Sequence, residues 1–320
     1  MKTIKRFEHV NARTVDEAAS ILGAGNASVI AGGTDILGAM RFEILPGYPE
    51  ILVNLKSIPG LEYIKEEAGM LKIGALTRLE DIAKSDAVRS RYTALATAAH
   101  RTASPHIREM GTIGGNVCQL TRCWYFRNPD NRFNCIRKGG KKCYAITGEN
   151  RYHSIFGAVK GCMAVNPSDT APALVALNAK IKTSKRIIEA QDFWDMVKPG
   201  STILAMDEIV TEIQVPTPAR GVKSSFIKFA IRSSIDFPIV NCAAMIGKGE
   251  ARICLNAVHN RPYRVSNAEE LIKGKSINEK NADAAGSAAI VKAKALPGDR
   301  NTWKIQIART MVKRAVLGCA

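Results

Sequence analysis

The 320-residue sequence has no run of about 18 consecutive apolar residues, so no membrane-spanning helix is expected. Its first residues, Met1-Lys2-Thr3-Ile4-Lys5-Arg6-Phe7-Glu8, are basic but lack the apolar stretch of a secretory signal. A cytoplasmic chain is therefore expected. No C-x-x-C pair is present, which disfavours a zinc ribbon. No G-x-G-x-x-G follows the first strand pattern, which disfavours a Rossmann site. Aromatic residues make up only 6%, and no recognition helix, zinc finger or aromatic platform is visible. A nucleic-acid partner is thus disfavoured despite a net charge of +17. There is no internal repeat and no low-complexity tract.

What is present suits two or three packed units, with an ordinary hydrophobic content of 46%. The positive charge leaves three origins open: a solvated basic surface, an acidic partner subunit, or an anionic cofactor. Eight cysteines in an intracellular chain argue against disulfides. Cys118, Cys123, Cys135, Cys143 and Cys162 crowd one segment, whereas Cys242, Cys254 and Cys319 lie apart and read as core or incidental thiols.

Patterning divides the chain at 57 and 217. In 1–57, Thr14 is the N-cap of a helix with Val15, Ala18, Ala19 and Leu22 on one face and Glu17 at the capping-box position. Residues 28–31 read as a buried strand, about 35–45 as a helix and 51–55 as a strand, together a small α/β unit. In 58–217, an α+β unit, strands are expected at 71–75 and 209–215, a hairpin within 179–188, and helices at 77–84, 87–100 and 171–177. In 218–320, strands 239–246 and 251–258 flank the turn Gly247-Lys248-Gly249-Glu250. Helices at 267–273, 278–295 and 303–316 follow, which suggests a sheet covered by helices.

Two glycine turns carry the first chemical signal. Ala31, Gly32, Gly33, Thr34 and Asp35 lie between a strand and a helix, with Thr34 or Asp35 as its cap. Glycine there takes positive φ and leaves backbone N–H groups unshielded, and successive N–H groups form a nest for phosphate. Thr112, Ile113, Gly114, Gly115 and Asn116 repeat the chemistry about 80 residues later. Two such turns could clamp the phosphates of a dinucleotide from opposite sides. Each taken alone reads more readily as no more than a tight turn.

The second signal is cysteine. Cys123, Cys135, Cys143 and Cys162 are separated by 11, 7 and 18 residues, without histidines at zinc-finger spacing. Soft sulfur ligands favour an iron–sulfur cluster, with zinc and inert thiols left open. Residues 121–162 hold nine Lys or Arg against Asp130 and Glu149. Such a rim favours the reduced form of a cluster or docks an acidic carrier, with a solvated loop as the plain alternative. Trp124, Tyr125 and Phe126 either shield a cluster or simply pack. His100, His106 and His153 read as structural, and Lys304, Arg309, Lys313 and Arg314 as a solvated helix face.

The glycine turns, with Arg108 ahead of the second, resemble the FAD-pyrophosphate motifs of the flavoprotein subunits of molybdenum hydroxylases. That family includes xanthine dehydrogenase, aerobic carbon monoxide dehydrogenase and 4-hydroxybenzoyl-CoA reductase. The resemblance spans essentially the whole chain, including Asn166-Pro167-Ser168-Asp169-Thr170-Ala171-Pro172-Ala173 and the stretch from Arg232 to Phe237. Glu109 departs from the Asn of many relatives. The implied fold is α+β, a vanillyl-alcohol-oxidase-type FAD-binding fold of two α/β subdomains plus a C-terminal sheet-and-helix domain. The implied cofactor residues are Ala31, Gly32, Gly33, Thr34, Asp35, Arg108, Thr112, Gly114, Gly115, Asn116, Ser168, Asp169, Asp236 and Phe237. By the same resemblance Asp169 bonds the ribityl or phosphate region of FAD, and 232–237 approaches its isoalloxazine ring.

Most such subunits run directly from the second turn to the Pro-Ser-Asp segment. Here an insertion at about 120–163 intervenes, similar to the [4Fe–4S] loop of 4-hydroxybenzoyl-CoA reductase and of one bacterial aldehyde oxidoreductase. This implies Cys123, Cys135, Cys143 and Cys162 as cluster ligands, with Cys118 a buried thiol beside the flavin turn. The resemblance further implies a large subunit with the molybdopterin cofactor and the substrate site, and a small [2Fe–2S] subunit, assembled as a dimer of heterotrimers. No catalytic residue is assigned to this chain. The expected activity is 4-hydroxybenzoyl-CoA reductase-like, with ferredoxin or another soluble carrier as donor and loss of a phenolic hydroxyl from an aromatic CoA thioester. Alternatives are a dehydrogenase of aldehydes, purines or N-heterocycles that passes electrons outward, and a zinc- or nucleic-acid-binding protein without enzymatic role.

Overall fold

The computed structural model describes residues 4–233 and 235–320. Thr14 caps helix Val15–Gly23, its hydroxyl accepting from the Glu17 N–H at 3.1 Å. The Glu17 carboxylate turns back to the Arg13 N–H at 2.7 Å, one residue earlier than a capping box requires. This helix belongs with a parallel sheet of β1 (Glu8–Asn11), β2 (Ala27–Ile30) and β3 (Ile51–Asn54), in the order β1-β3-β2. Strand β1 escapes sequence patterning because Glu-His-Val-Asn is a largely exposed edge. The expected helix at 35–45 is only Ile36–Arg41.

A second, antiparallel sheet contains β4 (Ile64–Glu67), β5 (Met70–Gly74), β6 (Lys180–Thr183), β7 (Ile187–Glu189) and β8 (Val210–Pro216), in the order β4-β5-β8-β6-β7. The helix expected at 87–100 is two, Asp86–Arg91 and Thr93–His100, because Tyr92 leaves helical geometry and is fully buried.

The third sheet is an antiparallel meander of β9 (Lys223–Phe229), β10 (Val240–Gly247), β11 (Glu250–Asn256) and β12 (Tyr263–Arg264). Its β10 is buried on both faces. Cys242, Ala244 and Ile246 pack with helices Ser266–Ile272, Glu279–Ala289 and Thr302–Leu317, while Ala243 and Met245 join the core of the second sheet. Two covered faces explain why this strand reads as a continuous apolar run. Cys242, Cys254 and Cys319 are buried core thiols, as expected.

Between helices Ile113–Cys118 and Thr170–Ala176 the insertion has almost no regular structure beyond the 3-10 turns Pro129–Asn131 and Ile136–Lys138. Its basic residues hold it in place. Arg137 is buried and donates to the Gly200 carbonyl and the Asn260 side chain, and the Lys138 ammonium reaches the Ile44 carbonyl at 3.0 Å. The expected rim of nine exposed cations is therefore corrected: these two point inward, because the loop lacks a backbone ladder and uses side chains instead. Lys304 is a second correction to an expected solvated face. It is fully buried and donates to the carbonyls of Tyr152, His153 and Ala257 at 2.8, 3.0 and 2.6 Å. Burial lowers its ammonium to about 7. Among the described residues no helix is long and apolar enough to cross a membrane.

Candidate functional site

One cleft of about 760 Å³, within the range that encloses organic cofactors, gathers most of the sequence-predicted residues. Ala31, Gly32, Gly33, Thr34 and Asp35 line it, with Thr112, Gly114, Gly115, Asn116, Asp169, Asp236 and Phe237. Arg108 and Ser168 do not. Arg108 is buried against Glu80 at 2.6 Å and donates to the Thr102 carbonyl at 3.2 Å. The Ser168 hydroxyl donates to the Asn116 amide oxygen at 2.6 Å. Asp236 is bonded by Arg232 at 2.6 Å, and Ser234 between them lies outside the described residues.

The two glycine turns differ. Gly33 has φ 71°, and a Cβ on Gly32 would run into the Met110 carbonyl, so this turn presses against the segment leading into the other. Among the described residues the N–H groups of Gly32, Gly33, Thr34 and Asp35 donate to no protein acceptor. In the second turn the N–H groups of four successive residues are committed. Ile113 N–H goes to the Thr77 carbonyl and Gly114 N–H to Ala75, both at 2.9 Å; Asn116 N–H goes to Thr112 at 2.8 Å, and Gly115 N–H to the Thr112 hydroxyl at 3.1 Å. The expected symmetric pair of nests is thus one nest and one packed wall.

Behind that wall lies a buried polar network. Asp169 accepts from Lys228 at 2.7 Å and from Asn241 at 2.8 Å, with both side chains of the ion pair 3% exposed. Burial raises the Asp169 carboxyl above its ordinary value, against the pull of Lys228. Thr170 and Ser168 share the Asn116 amide oxygen, and Asn256 donates to the Ser168 carbonyl at 2.8 Å.

Asp35 is the N-cap residue of helix Ile36–Arg41, one of the two expected caps, but its side chain makes no cap bond. Its carboxylate instead accepts from the Leu120 N–H at 2.9 Å, Arg122 at 2.8 Å and Arg127 at 2.6 Å. The Arg122 guanidinium also lies 4.4 Å from the centroid of the Phe237 ring. Burial, then neighbouring Arg127, lowers Arg122 to about 10, opposed by Asp35. The first turn is thereby tied to the start of the insertion, one residue from Cys123.

The thiols of Cys123, Cys135, Cys143 and Cys162 line one small, tightly closed pocket of about 10 Å³. Tyr125, Phe126, Tyr144 and Ile136 complete it, whereas Trp124 is exposed and stacks on Tyr152. No disulfide joins these cysteines. Burial first, and the neighbouring thiols after it, push Cys123 up to about 12 and raise Cys143. Among the described residues no group of three or more His, Cys, Asp or Glu closes up as a site for a metal ion. The pocket wall offers four sulfur donors and no carboxylate, a set suited to soft metal centres. Cys118 lies apart on the cleft wall, and burial pushes it up to about 12.

His153, expected to be a satisfied structural residue, is neither remote nor satisfied. Its Nε2 is 3.2 Å from the Cys123 sulfur, and its buried Nδ1 has no hydrogen-bond partner. Burial, then Lys304, lowers it to about 4. Nothing in a 30-residue separation announces this contact. Lys228, on β9, is equally hidden from local patterning.

A preformed cleft with uncommitted N–H donors defines a carrier of a phosphate-bearing cofactor. Residues 5–218 match the family described as the FAD binding domain in molybdopterin dehydrogenase, and residues 225–319 the CO dehydrogenase flavoprotein C-terminal domain. The chain belongs to this family: it is an FAD-binding oxidoreductase subunit of the molybdenum hydroxylase type. It is 33% identical to the aldehyde oxidoreductase FAD-binding subunit PaoB of Escherichia coli (strain K12), over 96% of each chain. It is 27% identical to the carbon monoxide dehydrogenase medium chain of Hydrogenophaga pseudoflava, covering 97% of this chain and 96% of the relative. The solved carbon monoxide dehydrogenase of that organism, in a form lacking the Mo-pyranopterin moiety, superposes with a TM-score of 0.76 at 26% identity, covering 99% of this chain and 98% of the other.

Proposed function

We propose that this chain is the FAD- and [4Fe–4S]-carrying electron-transfer subunit of an aldehyde-oxidising molybdenum hydroxylase. In this reading it works beside a large molybdenum subunit, where the substrate reacts, and a small [2Fe–2S] subunit. The observation that carries the reading is the pairing of sites: four thiols around one pocket, tied through Arg122 and Asp35 to a cleft with free N–H donors. The aldehyde assignment rests on the E. coli relative, whose name carries that activity.

FAD exchanges one or two electrons and so connects one-electron centres with a soluble carrier. The N–H groups of Gly32, Gly33, Thr34 and Asp35 would take its diphosphate, and Thr112, Gly114, Gly115 and Asn116 would wall the same cleft. Asp169 stays fixed by Lys228 as part of the cleft lining, and Asp236 and Phe237 border the ring end. Arg108 and Ser168 support the site from behind. Cys123, Cys135, Cys143 and Cys162 hold the cluster.

The reductive reading, an aromatic CoA thioester dehydroxylated at the expense of ferredoxin, is favoured by one observation. Arg132, Lys141 and Lys142 remain exposed on the loop that carries Cys135 and Cys143, a surface suited to an acidic carrier. Anaerobic addition of substrate to the purified complex separates the readings. Bleaching of the flavin band by an aldehyde, with no turnover of 4-hydroxybenzoyl-CoA by reduced ferredoxin, is expected; the reverse outcome installs the second reading. Zinc in place of iron, or no flavin band, overturns both.

A further inference from the structure

We propose that His153 is a positioning residue that donates its Nε2–H to the Cys123 sulfur and raises the reduction potential of the cluster held there. The inference rests on the four-thiol reading above and adds an unequal role for one of its ligands.

His153 is 2% exposed, with Nε2 3.2 Å from the Cys123 sulfur. The direction of the bond follows from the other nitrogen. Nδ1 is buried without any hydrogen-bond partner, so a proton placed there would be stranded at full desolvation cost. The neutral ring therefore carries its proton on Nε2, and a doubly protonated ring carries one there as well. In either state the sulfur faces a donor.

The ring cannot readily swing away, because the backbone around it is pinned from several sides. The His153 N–H donates to the Asn150 carbonyl at 2.9 Å, and Ser154 N–H to Met163 at 3.0 Å. The Lys304 ammonium gathers the Tyr152 and His153 carbonyls, and Asn150 donates to the Pro297 carbonyl at 3.2 Å. The C-terminal helix thus reaches the thiol pocket through one buried lysine. Hydrogen bonds to a ligating sulfur withdraw electron density from it and favour the reduced cluster. His153 adds a side-chain donor on the Cys123 side.

The test is a redox titration of the purified complex followed by electron paramagnetic resonance, on the native chain, His153→Phe and His153→Gln. The Phe variant fills the space without a donor and is expected to keep its iron while its cluster midpoint moves to a more negative potential. Gln places an amide donor at similar reach and is expected to recover most of that shift. An unchanged midpoint in a fully loaded His153→Phe overturns the inference and leaves the cluster reading intact. Absence of any [4Fe–4S] signal in the native complex overturns both. If the Phe variant does not assemble, hyperfine spectroscopy of the native reduced cluster with ¹⁵N-histidine decides. A coupled nitrogen with an exchangeable proton is expected, and its absence overturns the inference.

Discussion

In the first glycine turn the N–H groups of Gly32 through Asp35 are uncommitted, whereas in the second those of Ile113, Gly114, Gly115 and Asn116 all end on protein acceptors. The two segments look alike in sequence, both a glycine pair following an apolar residue. What separates them is the company each keeps. The first is anchored through a side chain, Asp35, which leaves its N–H groups free; the second is anchored through the N–H groups of residues 113–116, which are then spent. A glycine pair thus marks a place where backbone must approach something closely. The surrounding structure determines whether that something is a ligand or the protein itself.

The largest effect is expected from Lys228→Met, which strips the buried Asp169 of its cation beneath the second turn. Removing one partner of a buried pair costs about 3–5 kcal/mol, measured by urea denaturation. FAD content per folded molecule should fall less than stability does, since Lys228 itself does not line the cleft. Gly32→Ala should invert that balance. Its Cβ meets the Met110 carbonyl, so about 1–3 kcal/mol of stability is lost together with most of the flavin, whereas Gly115→Ala meets only the Thr112 hydroxyl at 3.1 Å and should retain it. Flavin-to-protein ratios after gel filtration compare the two; equal retention would erase the asymmetry.

Thr112→Ala removes the hydroxyl that accepts the Gly115 N–H and should cost about 1 kcal/mol with FAD retained, read from the thermal midpoint. The smallest effect is a pH dependence behind the same turn. Bonding to Arg108 holds the Glu80 carboxyl below its ordinary 4.5, although burial opposes this. Its contribution is complete above 4.5 and fades as pH falls through the lowered folded value. Glu80→Gln should flatten the loss of thermal stability in that acidic window and leave the neutral-pH flavin content unchanged.

Much of this was legible in the chain. Helix Val15–Gly23 followed from Thr14 and its apolar stripe, and the β10–β11 hairpin from Lys248-Gly249. The cleft residues followed from the two turns, Pro-Ser-Asp and Asp236-Phe237. The distinction between the turns was not, because a donor's fate depends on carbonyls such as Thr77 and Ala75, some 35 residues away. The helix expected at 278–295 is Glu279–Ala289, and the chain then turns so that the Lys294 N–H reaches the Ile155 carbonyl. Buried cations such as Lys304 and Arg137 look like surface residues in any local pattern; only the carbonyls they collect reveal them. His153 is the sharpest case, since its significance lies wholly in a contact with Cys123.

A flavin cleft and a four-thiol pocket meet at Asp35, and in the proposed function they are two separable redox sites on one chain. Cys135→Ser tests this separability most directly, with iron, acid-labile sulfide, flavin and the paramagnetic spectrum measured on the purified complex. Loss of the [4Fe–4S] signal with FAD retained at the native ratio is expected. Native iron content and an unchanged cluster signal in that variant would contradict it.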